Sequence, residues 1–229
     1  MTASNTLWIF GDSNCLPYSL SKKNEGWDII VATELQATLK NFAKMSTDNF
    51  YIFNCLLDNL KDIQDEDTVI IGWTHPYRKT FVYDSLRHEH LLENSMVYDT
   101  SNNKFLRSTG NIPSDHAKWP SMNQVDSGIP YYDDWFKNYF SETEQKTNSQ
   151  SYMLAVQELL NNKKYLPFYF SNESVDGFVV RNREMCILDF IKENNVQISN
   201  NDTHMTSKGH ELWSKEILID LEQRNGTHG

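Results

Sequence analysis

The chain has 229 residues, of which 39% are hydrophobic and 13% aromatic, so it can bury a sizeable core and is neither disordered nor fibrous. Its formal net charge of −10 argues against nucleic acid as a partner, because phosphate binding needs clustered Lys and Arg. The sequence has no apolar run of about 18 residues and no signal-peptide pattern at its start, so we expect no membrane span, no membrane partner and a cytoplasmic location.

The first part of the chain alternates between predicted strands and predicted helices. An apolar run over residues 6–10, followed by Gly and Asp, predicts a strand and then a turn. Apolar residues at helical spacing predict an amphipathic helix over 27–40, and 41–49 could hold a short second strand. The segment 51–63 is again helical in pattern. A continuous β-branched run over 67–74 then predicts a strand covered on both faces.

The second part contains a region, at about 79–150, that fits this alternation poorly, and we expect an insertion of helices and loops there. Beyond it, residues 165–172 predict another buried strand, while 185–195 and 206–223 predict helices. Alternating strands and helices predict an α/β fold, a three-layer α/β/α sandwich. An insertion after the third strand would lie where ligands bind in such sheets, so it is either a lid or substrate wall, or an additional packing layer.

Two short motifs near opposite ends of the chain could combine into one catalytic site. The first, FGDSNC, follows the first predicted strand and places Ser13 on a sharp turn. A serine hydroxyl is a weak nucleophile unless a base lies beside it. The second motif, NDTHMTSKGHELW, supplies Asp202 and His204, and an imidazole with a nearby carboxylate is the base that serine activation needs. These two side chains share a face only if the backbone there is extended, which the position before the last helix permits.

Together the two motifs resemble those of the SGNH/GDSL hydrolase superfamily. The matching residues are Gly11, Asp12, Ser13, His204, Gly209 and His210. The resemblance implies a flavodoxin-like parallel sheet in a single domain over 1–229, with about 79–150 inserted. It also implies that Ser13 is the nucleophile, His204 the general base and Asp202 the orienting acid. The acid stands two residues before the His here, whereas three is the commoner spacing in the family.

The resemblance further implies an oxyanion hole, and here the sequence departs from the family. The expected donors are the backbone N–H of Ser13, the backbone N–H of Ser46 in place of a Gly, and Thr74 in place of an Asn. A threonine hydroxyl can donate but reaches less far than an amide. Loss of one such donor costs about 10²–10³ in rate. Either Thr74 substitutes, Asn49 or Asn14 supplies the missing donor, or the enzyme is slow.

Residues beside these motifs are candidates for substrate binding. They are Asp12, Gly72, Trp73, His75 and Arg78. Two of them have a second interpretation. Arg78 could clamp an anionic group of the substrate or could be an exposed arginine after a turn. His75 could line the cleft or simply end the strand.

Several reactive side chains have a simpler structural interpretation. Cys15, Cys55 and Cys186 are odd in number and lack metal-ligand spacing, which favours buried or idle thiols. The two histidines of HEH at 88–90 would point to nearly opposite faces of a helix, which argues against a metal site. His210 is more typical of a structural hydrogen-bonding residue than of a second base. We therefore expect no metal and no organic cofactor.

The leading hypothesis is a serine esterase or deacetylase that hydrolyses a small-molecule or glycan ester, such as an O-acetylated carbohydrate. The alternative is a catalytically weak carbohydrate-binding or virion structural module, which the altered oxyanion-hole positions favour. Acyl transfer instead of hydrolysis is a third hypothesis, suggested by the Asp-x-His spacing. The third block, GWT followed by Arg78, resembles that of some phage-encoded members of the superfamily, and the chain could be virion-associated if it is phage-encoded. The sequence does not indicate an oligomeric state.

Overall fold

The computed structural model describes the chain in segments and divides it into two compact units. The described residues are 5–17, 25–45, 47–76, 81–83, 97–99, 104–106, 138–139, 141–170, 185–199 and 202–225. The first unit is Met1–Arg78 with Lys146–Gly229, and the second is Lys79–Gln145. In these segments no helix has both the length and the apolar character that crossing a membrane requires. The organisation as a single domain with an insertion stays a prediction.

Strands and helices alternate along the described chain. The strands are β1 (Thr6–Phe10), β2 (Thr38–Asn41), β3 (Thr68–Trp73), β4 (Phe81–Tyr83), β5 (Val97–Asp99), β6 (Lys104–Leu106), β7 (Lys164–Tyr169), β8 (Gln197–Ser199) and β9 (Asp202–Met205). The helices are α1 (Trp27–Glu34), α2 (Asn49–Asn59), α3 (Glu142–Leu159), α4 (Ile187–Asn194) and α5 (Ser207–Asn225). The predicted strands 6–10, 67–74 and 165–172 correspond to β1, β3 and β7, although residues 171–172 lie outside the described chain.

A parallel sheet in the order β2-β1-β3-β7 lies at the centre of the first unit. In its register, Leu7 of β1 is paired with Leu39 of β2 and with Thr68 of β3, and Val69 of β3 is paired with Tyr165 of β7. Every residue of β3 is buried. The sequence of β3 is therefore apolar throughout because both faces of the strand are covered, as predicted.

Helices cover both faces of this sheet. On one face, Leu7 and Ile9 of β1 pack into a core cluster with residues of α1, α4 and α5. Trp8 and Phe10 alternate with them and stack on Phe42 at the other face. Helix α2 contacts β1 and β3, and α3 lies beside α2 through aromatic contacts. The fold is an α/β/α sandwich around a parallel sheet, as predicted.

The strand order reverses at β1, and this reversal positions the candidate site. From β1 the chain passes through α1 to β2 on one side, and then through α2 to β3 on the other side. In open α/β sheets, ligands bind at such a reversal, outside the carboxyl ends of the strands. Ser13 follows the end of β1 and Thr74 follows the end of β3, so both residues lie at this edge.

The first predicted helix is shorter than its apolar spacing suggests. The spacing predicts a helix over 27–40 and a strand within 41–49, but α1 ends at Glu34, after eight residues of the first range, and β2 occupies the end of that range. Gln36 has a φ of 51°, in the left-handed region, which ends the helix. Leu35 and Leu39 both pack against the core, one just after the helix and one from the strand. Their shared burial explains why the spacing looks helical.

The region 79–150 differs from the expected helices and loops. Strands β4, β5 and β6 form a small sheet, with β4 parallel to β5 and β5 antiparallel to β6. Each has three residues, too few to show an alternating pattern. The polar stretch after residue 141 is helix α3. The buried positions of α3 and of the turn after it have helical spacing, and they are Gln145, Ser149, Met153, Val156 and Leu160. The first two of these residues are polar. A role as a lid or substrate wall stays a prediction.

Candidate active site

Ser13 lies in a short turn at the carboxyl end of β1. Asp12 has an extended backbone, and its side chain accepts a hydrogen bond from the Asn14 N–H at 2.9 Å. This cap starts a single 3₁₀ turn, in which the Cys15 N–H donates to the Asp12 carbonyl at 3.0 Å. Because the cap needs a short carboxylate and the turn follows the strand directly, the Gly-Asp-Ser sequence places Ser13 at the ligand-binding edge of the sheet.

Two glycines make room for the thiol of Cys15. A Cβ atom at Gly11 or Gly72 would collide with Cys15 Sγ. Burial, with contributions from Asp12 and Asp28, raises the pKa of the Cys15 thiol well above its ordinary value, so the thiol stays protonated and serves packing. Gly72, a predicted substrate-binding residue, is instead a packing position inside β3, where only a hydrogen fits beside the thiol.

Asp202 and His204 lie on strand β9, and this extended backbone puts their side chains on one face, as the motif requires. His204 Nε2 is 2.8 Å from Ser13 Oγ, and His204 Nδ1 is 2.6 Å from Asp202 Oδ1. Since an ionised carboxylate only accepts, Nδ1 carries a proton and Nε2 faces the hydroxyl as an acceptor. The side chains of His204 and Asp202 are 23% and 31% exposed, so a substrate can approach this relay.

The carboxylate of Asp202 is held in its ionised form. Burial favours a higher pKa, but hydrogen bonds from the backbone N–H of His204, at 3.0 Å, and from its imidazole outweigh burial and lower the pKa of Asp202. The negative charge beside Nδ1 therefore persists at neutral pH. Such a charge fixes the tautomer of the imidazole and stabilises the imidazolium that forms when Nε2 takes a proton.

The two side chains predicted as oxyanion donors bond elsewhere. Thr74 Oγ1 donates to Asp12 Oδ2 at 2.7 Å. Asn49 Oδ1 accepts from the Thr74 N–H at 2.9 Å, and Asn49 Nδ2 donates to the Thr74 carbonyl and to Ser149 Oγ, both at 3.1 Å. The hydroxyl hydrogen of Thr74 and both amide hydrogens of Asn49 therefore already form hydrogen bonds within the protein. Both side chains are therefore engaged within the protein in this arrangement, and their predicted roles as oxyanion donors stay predictions.

Asp12 is a structural partner of the serine turn. Its carboxylate accepts from the Thr74 hydroxyl, from the Asn14 N–H and from Asn14 Nδ2 at 3.1 Å, and it is buried. A carboxylate with these donors around it is directed into the protein. The residue thus links the turn of Ser13 to the end of β3, and its predicted contact with substrate stays a prediction.

The remaining predicted site residues differ in placement. Trp73 is a buried residue of β3, which makes it part of the core rather than of a substrate wall. His75 follows β3 and is also buried, with its ring edge-on to Phe170 at 6.0 Å between centroids. Ser46 and Arg78 lie outside the described residues, so their predicted roles stay predictions.

His210 supports the serine turn from the last helix. The Trp27 N–H donates to His210 Nδ1 at 3.2 Å, and Trp27 Nε1 donates to the Asn14 carbonyl at 2.8 Å. Burial, with a smaller effect from the nearby His204, lowers the pKa of His210 to about 4. The ring is therefore neutral at neutral pH and acts as an acceptor, in agreement with the predicted structural role.

Two residues that hold this turn were not predicted from the sequence. One is Trp27, and the other is Asn41, whose Nδ2 donates to the Cys15 carbonyl at 2.8 Å and to Asp28 Oδ2 at 2.9 Å. Trp27 has the pattern of an ordinary apolar residue at the start of a helix. Asn41 ends β2 in the structure, whereas the predicted strand segment 41–49 begins at this residue, so no sequence signal placed it at the edge where polar site residues collect.

The described residues offer a serine relay and no metal cluster. Within them, no group of three or more His, Cys, Asp or Glu side chains could hold a metal ion, and Cys15, Cys55 and Cys186 are free thiols. The HEH sequence at 88–90 lies outside the described chain. A serine hydroxyl bonded to an imidazole that is itself bonded to a carboxylate can act as a nucleophile toward a carbonyl group.

Solved structures with a similar fold include the psychrotrophic esterase EstA from Pseudoalteromonas sp., at 13% identity and a TM-score of 0.50 over 97% of this chain and 100% of that chain. The lipase Lip_vut3 from a goat rumen metagenome has 12% identity and a TM-score of 0.50 over 94% and 97%. A lipolytic G-D-S-L family member from Veillonella parvula has 10% identity and a TM-score of 0.49 over 94% and 97%. No family model and no curated protein matches the sequence. The chain thus shares its α/β/α fold with an esterase and a lipase.

Proposed function

We propose that this chain is a serine ester hydrolase in which Ser13, His204 and Asp202 form the catalytic triad. The observation that carries the proposal is the continuous hydrogen-bonded relay from Ser13 Oγ through the imidazole to Asp202 Oδ1, with distances of 2.8 and 2.6 Å. These lengths are within the reach that a general base and its orienting acid need before substrate binds. The chemistry needs no metal and no organic cofactor.

The relay supports a two-step mechanism. Ser13 Oγ attacks the ester carbonyl while its proton passes to His204 Nε2, and a tetrahedral intermediate forms. The intermediate collapses, the bond to the alcohol breaks, and Nε2 returns its proton to the leaving alkoxide. Water then gives a proton to the same nitrogen as it attacks the acyl-enzyme, and the acid leaves as Ser13 Oγ regains the proton. Throughout, Asp202 keeps the imidazole in the tautomer that presents Nε2 to Ser13.

The proposal assigns the oxyanion to backbone donors. Ser13 is the first residue of the turn, so its backbone N–H has no acceptor within the turn and can donate to a developing negative charge. We assign the second donor to the backbone N–H of Ser46. Because the side chains of Thr74 and Asn49 bond elsewhere, we expect an enzyme slower by about 10²–10³ than one with a full set of donors.

The names of the similar structures support an ester as the substrate. One is described as an esterase that was also studied with the inhibitor monoethylphosphonate, and the other as a lipase. Within this class we propose a small-molecule or glycan ester, such as an O-acetylated carbohydrate. The net charge of −10 makes a nucleic-acid ester the least suitable choice.

A second candidate function is a glycan-binding module with weak turnover. The observation that favours it is that Thr74 and Asn49, the two side chains in position to replace the family's Asn, have no donor left for an oxyanion. A cleft that keeps its shape without this stabilisation would bind esters and hydrolyse them poorly. Acyl transfer to an acceptor alcohol would use the same relay and differ from hydrolysis in the product.

The test is turnover of a panel of short-chain nitrophenyl esters and O-acetylated sugars by the wild type, by Ser13→Ala and by Ser151→Ala. Ser151 is an exposed serine whose hydroxyl bonds only within its own helix, so its variant controls for the loss of a hydroxyl. We expect turnover by the wild type and the control, and a loss of at least about 10³-fold in Ser13→Ala. Equal turnover in Ser13→Ala contradicts the triad. Undetectable turnover with glycan binding unaffected by Ser13→Ala favours the second candidate.

A further inference from the structure

We infer that Asn49 and Ser149 are positioning residues, which fix the main chain at Thr74 and through it the Asp12 carboxylate beside Ser13. The inference rests on the proposed function, since it assigns how the surroundings of the nucleophile are held in place. It also gives Asn49 a role different from that of an oxyanion donor. Ser149 belongs to neither of the two sequence motifs and lies on the polar helix α3.

The side chain of Asn49 pairs with both main-chain groups of one residue. Its Oδ1 accepts from the Thr74 N–H at 2.9 Å, and its Nδ2 donates to the Thr74 carbonyl at 3.1 Å. Two antiparallel bonds to one residue fix the orientation of that residue as well as its position. Asn49 is 3% exposed and Thr74 is fully buried, so water does not compete for these groups.

Thr74 transmits this placement to the nucleophile. Its hydroxyl donates to Asp12 Oδ2 at 2.7 Å, and the other carboxylate oxygen, Oδ1, caps the turn through the Asn14 N–H. Ser13 lies between Asp12 and Asn14. A shift of the Thr74 main chain would therefore move the cap of the turn and, with it, Ser13 Oγ relative to His204. Misplacement by about 1 Å can cost on the order of 10²-fold in rate.

Ser149 completes the cluster from helix α3. Its hydroxyl accepts from Asn49 Nδ2 at 3.1 Å and donates to the Pro76 carbonyl at 3.4 Å. Pro76 and Ser149 belong to the first unit, and in the sequence they flank the second unit, Lys79–Gln145. One buried hydroxyl thus ties together the two chain segments at which the first unit is interrupted, and it orients the amide that holds Thr74.

The competing assignment, in which Asn49 donates directly to an oxyanion, predicts a different pattern. In that case Ser149 has no influence on Ser13, and its removal frees an amide hydrogen for the oxyanion. If Asn49 and Ser149 act as one unit, their effects overlap, and the double variant is no worse than Asn49→Ala. Contacting residues in one network show such non-additivity, whereas independent sites add.

The experiment compares five variants with the wild type: Asn49→Ala, Ser149→Ala, both together, Ser149→Thr and the control Ser151→Ala. The limiting rate of fluorophosphonate attachment to Ser13 is measured together with the half-saturating reagent concentration. We expect a limiting rate about 10-fold lower in Ser149→Ala and about 100-fold lower in Asn49→Ala, with the half-saturating concentration unchanged. The double variant should match Asn49→Ala, Ser149→Thr should recover most of the rate, and Ser151→Ala should match the wild type.

A wild-type rate in Ser149→Ala, or a double-variant loss equal to the product of the single losses, would overturn the inference. A second readout, hydrogen exchange of the Thr74 amide, needs no reaction. We expect exchange at least about 10-fold faster in Ser149→Ala and Asn49→Ala, and unchanged in Ser151→Ala. If the wild type takes up no phosphonate, the proposed function fails. The exchange data then decide the inference alone, and unchanged protection of Thr74 overturns it.

Discussion

The neutral state of His210 makes the stability of this chain depend on pH in a defined window. The folded protein holds the pKa of His210 at about 4, whereas the ordinary value is 6.5. Between about pH 6.5 and pH 4, His210 binds a proton in the unfolded chain but stays neutral in the folded chain, so acid favours unfolding. The contribution of His210 to stability is complete above about pH 6.5, is lost as the pH falls toward 4, and is gone below 4.

The size of this effect follows from the difference between the two pKa values. One pKa unit corresponds to about 1.4 kcal/mol, so the full difference is worth about 3 kcal/mol. Between about pH 7.5 and pH 5, the loss in the free energy of unfolding due to His210 is about 2 kcal/mol. The variant His210→Asn removes the titrating ring but keeps an oxygen that can accept from the Trp27 N–H, the bond seen at 3.2 Å.

Urea denaturation at both pH values, on the wild type and on His210→Asn, measures the effect. The expected result is that acidification lowers the free energy of unfolding less in the variant, by about 2 kcal/mol. Other titrating groups contribute equally to both proteins and cancel in the comparison. Parallel pH profiles for the two proteins, or an imidazole of His210 that titrates near 6.5 by NMR, would refute the reasoning.

Three further predictions test the packing and the relay. Gly11→Ala should lower the free energy of unfolding by about 1–3 kcal/mol, because the added Cβ collides with Cys15 Sγ. Adding Cys15→Ala should restore part of the lost stability. Losses of the two single variants that simply add in the double variant, measured by denaturation, would contradict this prediction. Asp67→Asn should lower that free energy by about 2–4 kcal/mol, because the two carboxylate oxygens of Asp67 together accept from three N–H groups and an amide nitrogen in place of one oxygen cannot accept. An unchanged urea midpoint would count against it. Asp202→Asn should reduce kcat for a nitrophenyl ester by about 10²–10⁴ through the wrong imidazole tautomer, and kcat within a factor of about two of the wild type would refute that role.

Features encoded locally in the sequence were predicted well. The run that forms β3 is apolar throughout because both faces of the strand are covered, and the pattern shows this without knowledge of its neighbours. Ser13 could be placed on a turn because Gly and Asp follow a strand directly. Asp202 and His204 could be paired because residues two apart share a face of an extended chain, and β9 is extended.

Features that depend on distant contacts were not predicted. The position of helix α3 was not predicted because its first buried residues, Gln145 and Ser149, are polar. Ser149 bonds to Asn49, a residue far away in the sequence. The length of α1 depends on the left-handed backbone of Gln36, a residue with no strong preference for it. The bonds of Thr74 to Asn49 and Asp12 join elements far apart in the chain, and no local pattern reveals that these donors are already used.

Intact-mass detection of a fluorophosphonate adduct tests most directly whether His204 activates Ser13. The wild type, Ser13→Ala and the exposed-serine control Ser151→Ala are incubated with the reagent, and their folding is verified by circular dichroism. We predict one adduct per chain in the wild type and the control, and none in Ser13→Ala. A folded wild type that takes up no reagent, or an adduct that persists in Ser13→Ala, would contradict the account.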